Sequence, residues 1–175
     1  GAKLAKGDIL AFLDDDVFVQ PGSFRRMLEI FRQYPQCGVV AGQVTPKYEC
    51  DPPAWSLRCS REVNGWSLQY PERAPYLGNG FQELVFAVGA MLTLRRSAFE
   101  AIGEYPDDIV MIETAPHSNK YFRLDIGAGD AGIASLVRAR GYKIYYDPHI
   151  ACSHLVSKNR MTPHFWRARM ISEAI

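Results

Sequence analysis

Four cysteines are all the chain has, at positions 37, 50, 59 and 152. None stands in a CxxC pair or at a zinc-ligand spacing, which excludes a structural zinc module and a disulfide-stapled scaffold. Such sparse thiols suit the reduced state and a cytoplasmic setting. No apolar run approaches the roughly 18 residues of a membrane span, and no signal-peptide pattern opens the sequence. Charge of one sign is also missing: 20 Lys and Arg balance 19 Asp and Glu, a formal net charge of +1. That balance speaks against a surface built to coat nucleic acid and against an acidic solvating tail. No repeat and no low-complexity segment is present. What remains is a 47% hydrophobic, 22% charged composition over 175 residues, the profile of a single globular domain spanning 1–175.

Strands and helices alternate. Ile9 to Leu13 is a short apolar run that predicts a buried strand in a sheet covered on both faces. Pro21 to Tyr34 predicts a helix, with Pro21 and Ser23 as start signals and Phe24, Met27, Leu28 and Phe31 as one apolar stripe. Its wet face carries Arg25, Arg26, Glu29 and Arg32. Gly38 to Gly42 predicts the next short buried strand. From 45 to 80 the pattern dissolves into a proline- and aromatic-rich stretch, read as a long irregular excursion. Leu84 to Leu94 predicts a core strand, Arg95 to Ile102 a short helix, and Asp130 to Arg140 a helix capped by Gly141. Tyr142 to Tyr146 predicts a strand closed by Asp147-Pro148, with a separate extended segment at Ile150 to Val156 and a final helix from Thr162-Pro163. The order says α/β.

One feature demands chemistry. The run ILAFL drives straight into Asp14, Asp15 and Asp16, three carboxylates that repel one another. A solvated acidic turn or a helix N-cap is the plain alternative. If the extended conformation persists past Leu13, Asp14 and Asp16 point one way and Asp15 the other. Two hard oxygen donors at a strand's C-terminal end suit Mg²⁺ or Mn²⁺, which keeps one or two carboxylates and fills its other sites with water and phosphate oxygens.

A strand ending in DDD, followed by Pro and an amphipathic helix, resembles the DxD region of family 2 glycosyltransferases. Three further segments continue the resemblance in order: FAVGAMLTLRRSAFEAIGEYP, GDAGIASLVRARGYKIYYDPHIACSH and NRMTPHFWRAR. The resemblance implies a GT-A fold, here a partial, Rossmann-like mixed sheet flanked by helices. It also implies that the chain, which opens almost on its first strand and stops within a helical pattern at RMISEAI, is the C-terminal portion of a longer enzyme without its nucleotide-binding half. The implied activity is metal-dependent, inverting transfer of a sugar from a nucleotide-diphosphate donor to a hydroxyl of a glycan or lipid-linked acceptor. A catalytically silent fragment, or a non-enzymatic module docking through its basic C-terminal segment, stands as the alternative.

By this resemblance Asp14, Asp16 and His154 hold the metal, with Asp15 an accessory charge. Asp130 is the general base that takes the acceptor's proton. Gly129 stands where the family has Glu, so Asp125 is held in reserve, and an N-cap is the other reading of Asp130. Arg160, Arg167 and Arg169 are candidates to neutralise the donor diphosphate, against a solvated helix face or a patch for peripheral membrane contact at the inner membrane face. Gly89, Ala90 and Trp66 are the acceptor-site candidates, and Trp55 and Tyr76 extend a sugar-stacking surface or form the excursion's own small core.

Overall fold

The computed structural model describes residue 2 and residues 4–63, 79–82, 90–103, 109–113, 121–125 and 129–167. Gly89, Trp66, Tyr76 and Arg169 lie outside the described residues.

A mixed sheet of six strands forms the centre, in the order β1 (Ile9–Leu13), β5 (Met91–Arg95), β3 (Cys37–Tyr48), β8 (Lys143–Val156) and β2 (Val17–Val19), with β4 (Gly80–Gln82) also paired to β8. β3 and β8 run parallel, and the other pairings are antiparallel. Strands β6 (Ile109–Glu113) and β7 (Tyr121–Asp125) form a separate two-stranded ribbon. Helix α1 (Ser23–Gln33) covers one face of the large sheet, and α3 (Arg96–Ile102) and α4 (Gly129–Ala139) the other. The outcome is the α/β layering that the alternation of elements implies.

Each face has its own core, and β3 alternates between them. Val40 and Val44 join Met27, Ile30 and Phe31 of α1, whereas Val39 and Ala41 join Ala98 of α3 and Val137 of α4. Full burial of such side chains contributes about 1.5–3 kcal/mol each.

Several expectations are corrected. β1 is not buried on both faces: among the described residues it pairs only with β5, and Leu10 is its one buried side chain. On α1 the buried face is Ser23, Met27, Ile30 and Phe31, while Phe24 and Leu28 are exposed. Ile30 stands at i+3 from Met27, and burying it rotates the stripe away from Phe24. The helix starts from Gly22 in the left-handed region rather than from a serine cap. β3 is 12 residues long and runs on through Pro46 to Tyr48. Within the 45–80 stretch it is followed by α2 (Ala54–Val63).

The separate strands expected on either side of Asp147-Pro148 are one 14-residue strand interrupted by a bulge. Gly42 pairs with Asp147 but Gln43 pairs with Ala151, so Pro148, His149 and Ile150 have no counterpart on β3. A proline that cannot donate to a ladder sits comfortably there.

Two cysteines lie in the α1-side core with no measurable exposure. Burial pushes the thiols of Cys37 and Cys152 from 9.0 to about 11; Arg95 opposes the rise at Cys37, and the charge of Asp14 adds to it at Cys152. Both folded-state values lie above the unfolded one. The stability gained by keeping the thiols protonated is therefore complete below pH 9 and is lost as pH rises towards 11. Two pH units correspond to at most about 3 kcal/mol per thiol. Thermal melts should show Tm falling steeply between pH 9 and 11. The double variant Cys37→Ala/Cys152→Ala should flatten that slope even though its Tm at neutral pH is lower.

Candidate metal and phosphate site

Asp14, Asp15 and Asp16 connect the two sides of the sheet. β1 lies at one edge, β2 lies beyond β8, and the triplet makes the turn between them. Two backbone hydrogen bonds pin it. The Asp14 N–H donates to the Ala90 carbonyl at 3.3 Å, and the Leu155 N–H donates to the Asp16 carbonyl at 2.9 Å. The carboxylates therefore converge through a turn docked on β5 and β8, rather than through the two-residue period of a continuing strand.

His154 is supplied by the distal part of β8, opposite Val17 of β2 and Pro46 of β3. It is 6% exposed. Its Nε2 lies 3.0 Å from Asp16 Oδ1. Among the described residues its buried Nδ1 has no hydrogen-bond partner, an arrangement that ordinarily costs about 1–3 kcal/mol. One ligand atom each from Asp14, Asp16 and His154 falls within 4.8 Å of the other two. Three donors around one ion at about 2.1 Å span up to roughly 4.2 Å, so small side-chain rotations bring this set onto a single cation. Two carboxylates and an imidazole suit a divalent ion of intermediate softness.

Positive charge stands beside the triad. Arg160, from the single-turn 3₁₀ helix Lys158–Met161, places a guanidinium nitrogen 3.8 Å from Asp16 Oδ2. The two oxygens of Asp16 thus face two different basic groups. Asp15 is exposed in the turn. Cys152, two residues before His154 on β8, is near enough to Asp14 to feel its charge. With its thiol held protonated, it is a packing residue and not a nucleophile.

The remaining candidates stand on several elements. Ala90 is buried, and its carbonyl anchors Asp14; it meets the site through its backbone. Asp130 is the second residue of α4, and Asp125 is the last of β7. Arg167 is exposed in the helical turn at 163–167. Trp55 is exposed at the start of α2. Arg95 and Arg96 serve the scaffold. Arg95 donates to the carbonyls of Phe31, Tyr34 and Cys37 at 2.5, 3.2 and 3.0 Å, satisfying the end of α1 and tying it to the start of β3. Arg96 ties the segment before β1 to α3 through the carbonyls of Ala5 and Gly7.

Among the described residues no helix is long and apolar enough to cross a membrane. Residues 1–103 match the profile described as glycosyl transferase family 2. That stretch contains Asp14, Asp16 and Ala90 and ends before Asp130 and His154. Over 105 residues the chain is 26% identical to the glucosyl-dolichyl phosphate glucuronosyltransferase of Haloferax volcanii, a match covering 60% of this chain and 32% of that protein. The match therefore spans about a third of that relative's length.

Proposed function

The chain belongs to glycosyl transferase family 2, and from that premise we propose that it contributes the metal and acceptor side of a sugar-transfer site. The donor is a nucleotide-diphosphate sugar, and the acceptor is a hydroxyl of a glycan or of a lipid-linked saccharide. The observation that carries this reading is the convergence of Asp14, Asp16 and His154 within 4.8 Å, with Arg160 beside them.

Each residue has a distinct task. Asp14 and Asp16 supply the hard anionic oxygens, and His154 supplies the third donor; together they hold Mn²⁺ or Mg²⁺, and the imidazole tilts the preference to manganese. When bound, the cation neutralises negative charge on the donor diphosphate. Arg160 adds a charge-assisted hydrogen bond to the departing phosphate oxygens. Asp130, with Asp125 in reserve, accepts the proton of the attacking hydroxyl, as inversion at the anomeric carbon requires. Arg167 and Arg169 are further candidates to neutralise the diphosphate. Gly89, Ala90 and Trp66 border the acceptor.

Isothermal titration of the chain with uridine or guanosine diphosphate, with and without Mn²⁺, tests the proposal. Binding that requires the metal supports it. Binding indifferent to the metal, or none in its presence, overturns it.

Arg160 gives a sharper expectation. Its guanidinium competes with an incoming cation for Asp16 Oδ2, yet it assists a bound diphosphate. Its side chain is 36% exposed, so the competition is worth only the modest amount of a solvated pair. Arg160→Ala should tighten Mn²⁺ binding about two- to fivefold in the absence of nucleotide and weaken nucleotide binding in its presence. Paramagnetic resonance titration of free Mn²⁺ reads the first effect, and calorimetry the second.

A further inference from the structure

The bulge in β8 decides which face of the sheet His154 occupies. Before the bulge, Ile144 and Tyr146 belong to the core under α3 and α4, and Tyr145 packs towards α1. After it, Ile150, Cys152 and Val156 belong to the core under α1. Even-numbered residues have changed sides. Between the pairs Gly42–Asp147 and Gln43–Ala151, β8 advances four residues while β3 advances one. Three extra residues are an odd number, and an odd insertion reverses the two-residue alternation of a strand. His154 shares its alternation with Cys152 and Val156 and faces Asp16 for that reason. In an unbroken strand it would point to the opposite face.

Helix α1 grips the bulge on both sides. Arg26 forms an ion pair with Asp147, the last residue before the insertion, which is 1% exposed. Asp147 Oδ1 also accepts the His149 N–H at 2.9 Å, inside the bulge. One turn earlier on α1, the Ser23 hydroxyl bonds both the carbonyl and the N–H of Ala151 at 3.2 Å, immediately after the insertion. The Gln20 N–H donates to the same carbonyl at 2.9 Å. Ser23 and Arg26 are three residues apart, hence neighbours on one side of the helix. A buried carboxylate is costly unless paired and hydrogen-bonded, and replacing a buried ion pair by hydrophobic residues of similar volume is often neutral for stability. The polar clamp fixes a register.

We propose that Ser23, Arg26 and Asp147 are positioning residues whose grip on the β8 bulge sets His154 against Asp16. The metal arm of the test below rests on the function proposed above; the spectroscopic arm does not.

The test is a double-mutant cycle. Asp147→Asn keeps the shape and removes the ion pair. It should weaken Mn²⁺ binding about tenfold, the scale on which groups that orient a metal ligand act. In a His154→Ala background the same change should cost less than twofold. Equal losses in both backgrounds would mean a long-range charge effect and overturn the proposal, as would no loss in either. Independently of metal, the His154 Nε2–H should give a slowly exchanging, hydrogen-bonded signal in ¹H–¹⁵N spectra. That signal should disappear in Asp147→Asn while the far-ultraviolet circular dichroism is retained, and its persistence would overturn the clamp. Should the unmutated chain bind no Mn²⁺, the metal reading fails and this spectroscopic arm still decides the clamp. Ser23→Ala, which deletes only a hydroxyl, takes the same measurements if Asp147→Asn does not fold. In the unmutated chain, Overhauser contacts must join Cys152 and Val156 to the Met27 and Phe31 cluster; contacts to Val137 instead would overturn the proposal whatever the variants do.

Discussion

Asp16→Ala should abolish metal-linked nucleotide binding and lower sugar transfer by on the order of 10²- to 10³-fold, with the chain still folded. Three groups meet at this carboxylate: His154 Nε2 at 3.0 Å, Arg160 at 3.8 Å and, within 4.8 Å, an oxygen of Asp14. Without it the donor set falls to one carboxylate and one imidazole, and the Arg160 guanidinium loses its neighbouring charge. The backbone of the turn should survive, because it is held through the Asp16 carbonyl and the Asp14 N–H, which the substitution leaves in place. The side chain is 29% exposed, so the folding cost comes mainly from His154, whose two ring nitrogens then both lack a partner among the described residues. That cost is about 1–3 kcal/mol. His154→Ala should be milder, about 10- to 100-fold in metal affinity, because it leaves both carboxylates in place. Mn²⁺ titration and calorimetry with a nucleoside diphosphate read both variants against a melting curve. An Asp16→Ala chain that binds Mn²⁺ like the unmutated one would show that the triplet is only an acidic turn.

The pattern of hydrophobic residues carried the longer core elements in order but not β2, β4, β6, β7 or α2, because a buried strand or helix face has to be apolar at a fixed period and short or edge elements do not. Helix α1, the strand at Tyr142–Tyr146 and the α4 helix follow that rule. Boundaries followed it less closely. β3 continues past Val44 into Pro46 and Tyr48 because β8 supplies a partner there, and pairing with a distant strand leaves no mark on local periodicity. The prominence of Asp14 and Asp16 was legible, since three adjacent like charges after an apolar run need compensation. Why they converge with His154 was not, because the answer lies in a turn at 14–16 and in a bulge at 148–150, more than 130 residues further along the chain. Arg26 illustrates the same limit. On α1 it has the helical position of a solvated residue, and only the approach of the buried Asp147 turns it into part of the core's polar framework. Ser23 read as a start signal, yet its hydroxyl is spent on Ala151.

Gly42→Ala should be among the most damaging single substitutions in the chain, and the reason is contact rather than conformation. An added Cβ would lie 2.2 Å from the carbonyl oxygen of Ile150 and 2.6 Å from its Cγ2. The oxygen belongs to the backbone of the bulge, so no rotamer change relieves the overlap; β3 and β8 have to separate at the point where α1 grips them. Overpacking of this kind costs about 1–3 kcal/mol where side chains can give way, and more where they cannot. A loss near 4 kcal/mol would lower Tm by roughly 10 °C in a chain of this size. Gly38→Ala is the matched control. There the added Cβ would meet the Tyr142 Cβ at 2.6 Å and the Val137 Cγ1 at 2.7 Å, both side-chain atoms, on the face away from His154. Urea and thermal unfolding should rank Gly42→Ala as the more destabilising of the two. In whatever folded protein remains, only Gly42→Ala should weaken Mn²⁺ binding, since only that change displaces the strand segment that carries His154. Equal stability losses with unchanged metal affinity in both variants would mean that the close approach of β3 to the bulge has no bearing on the site.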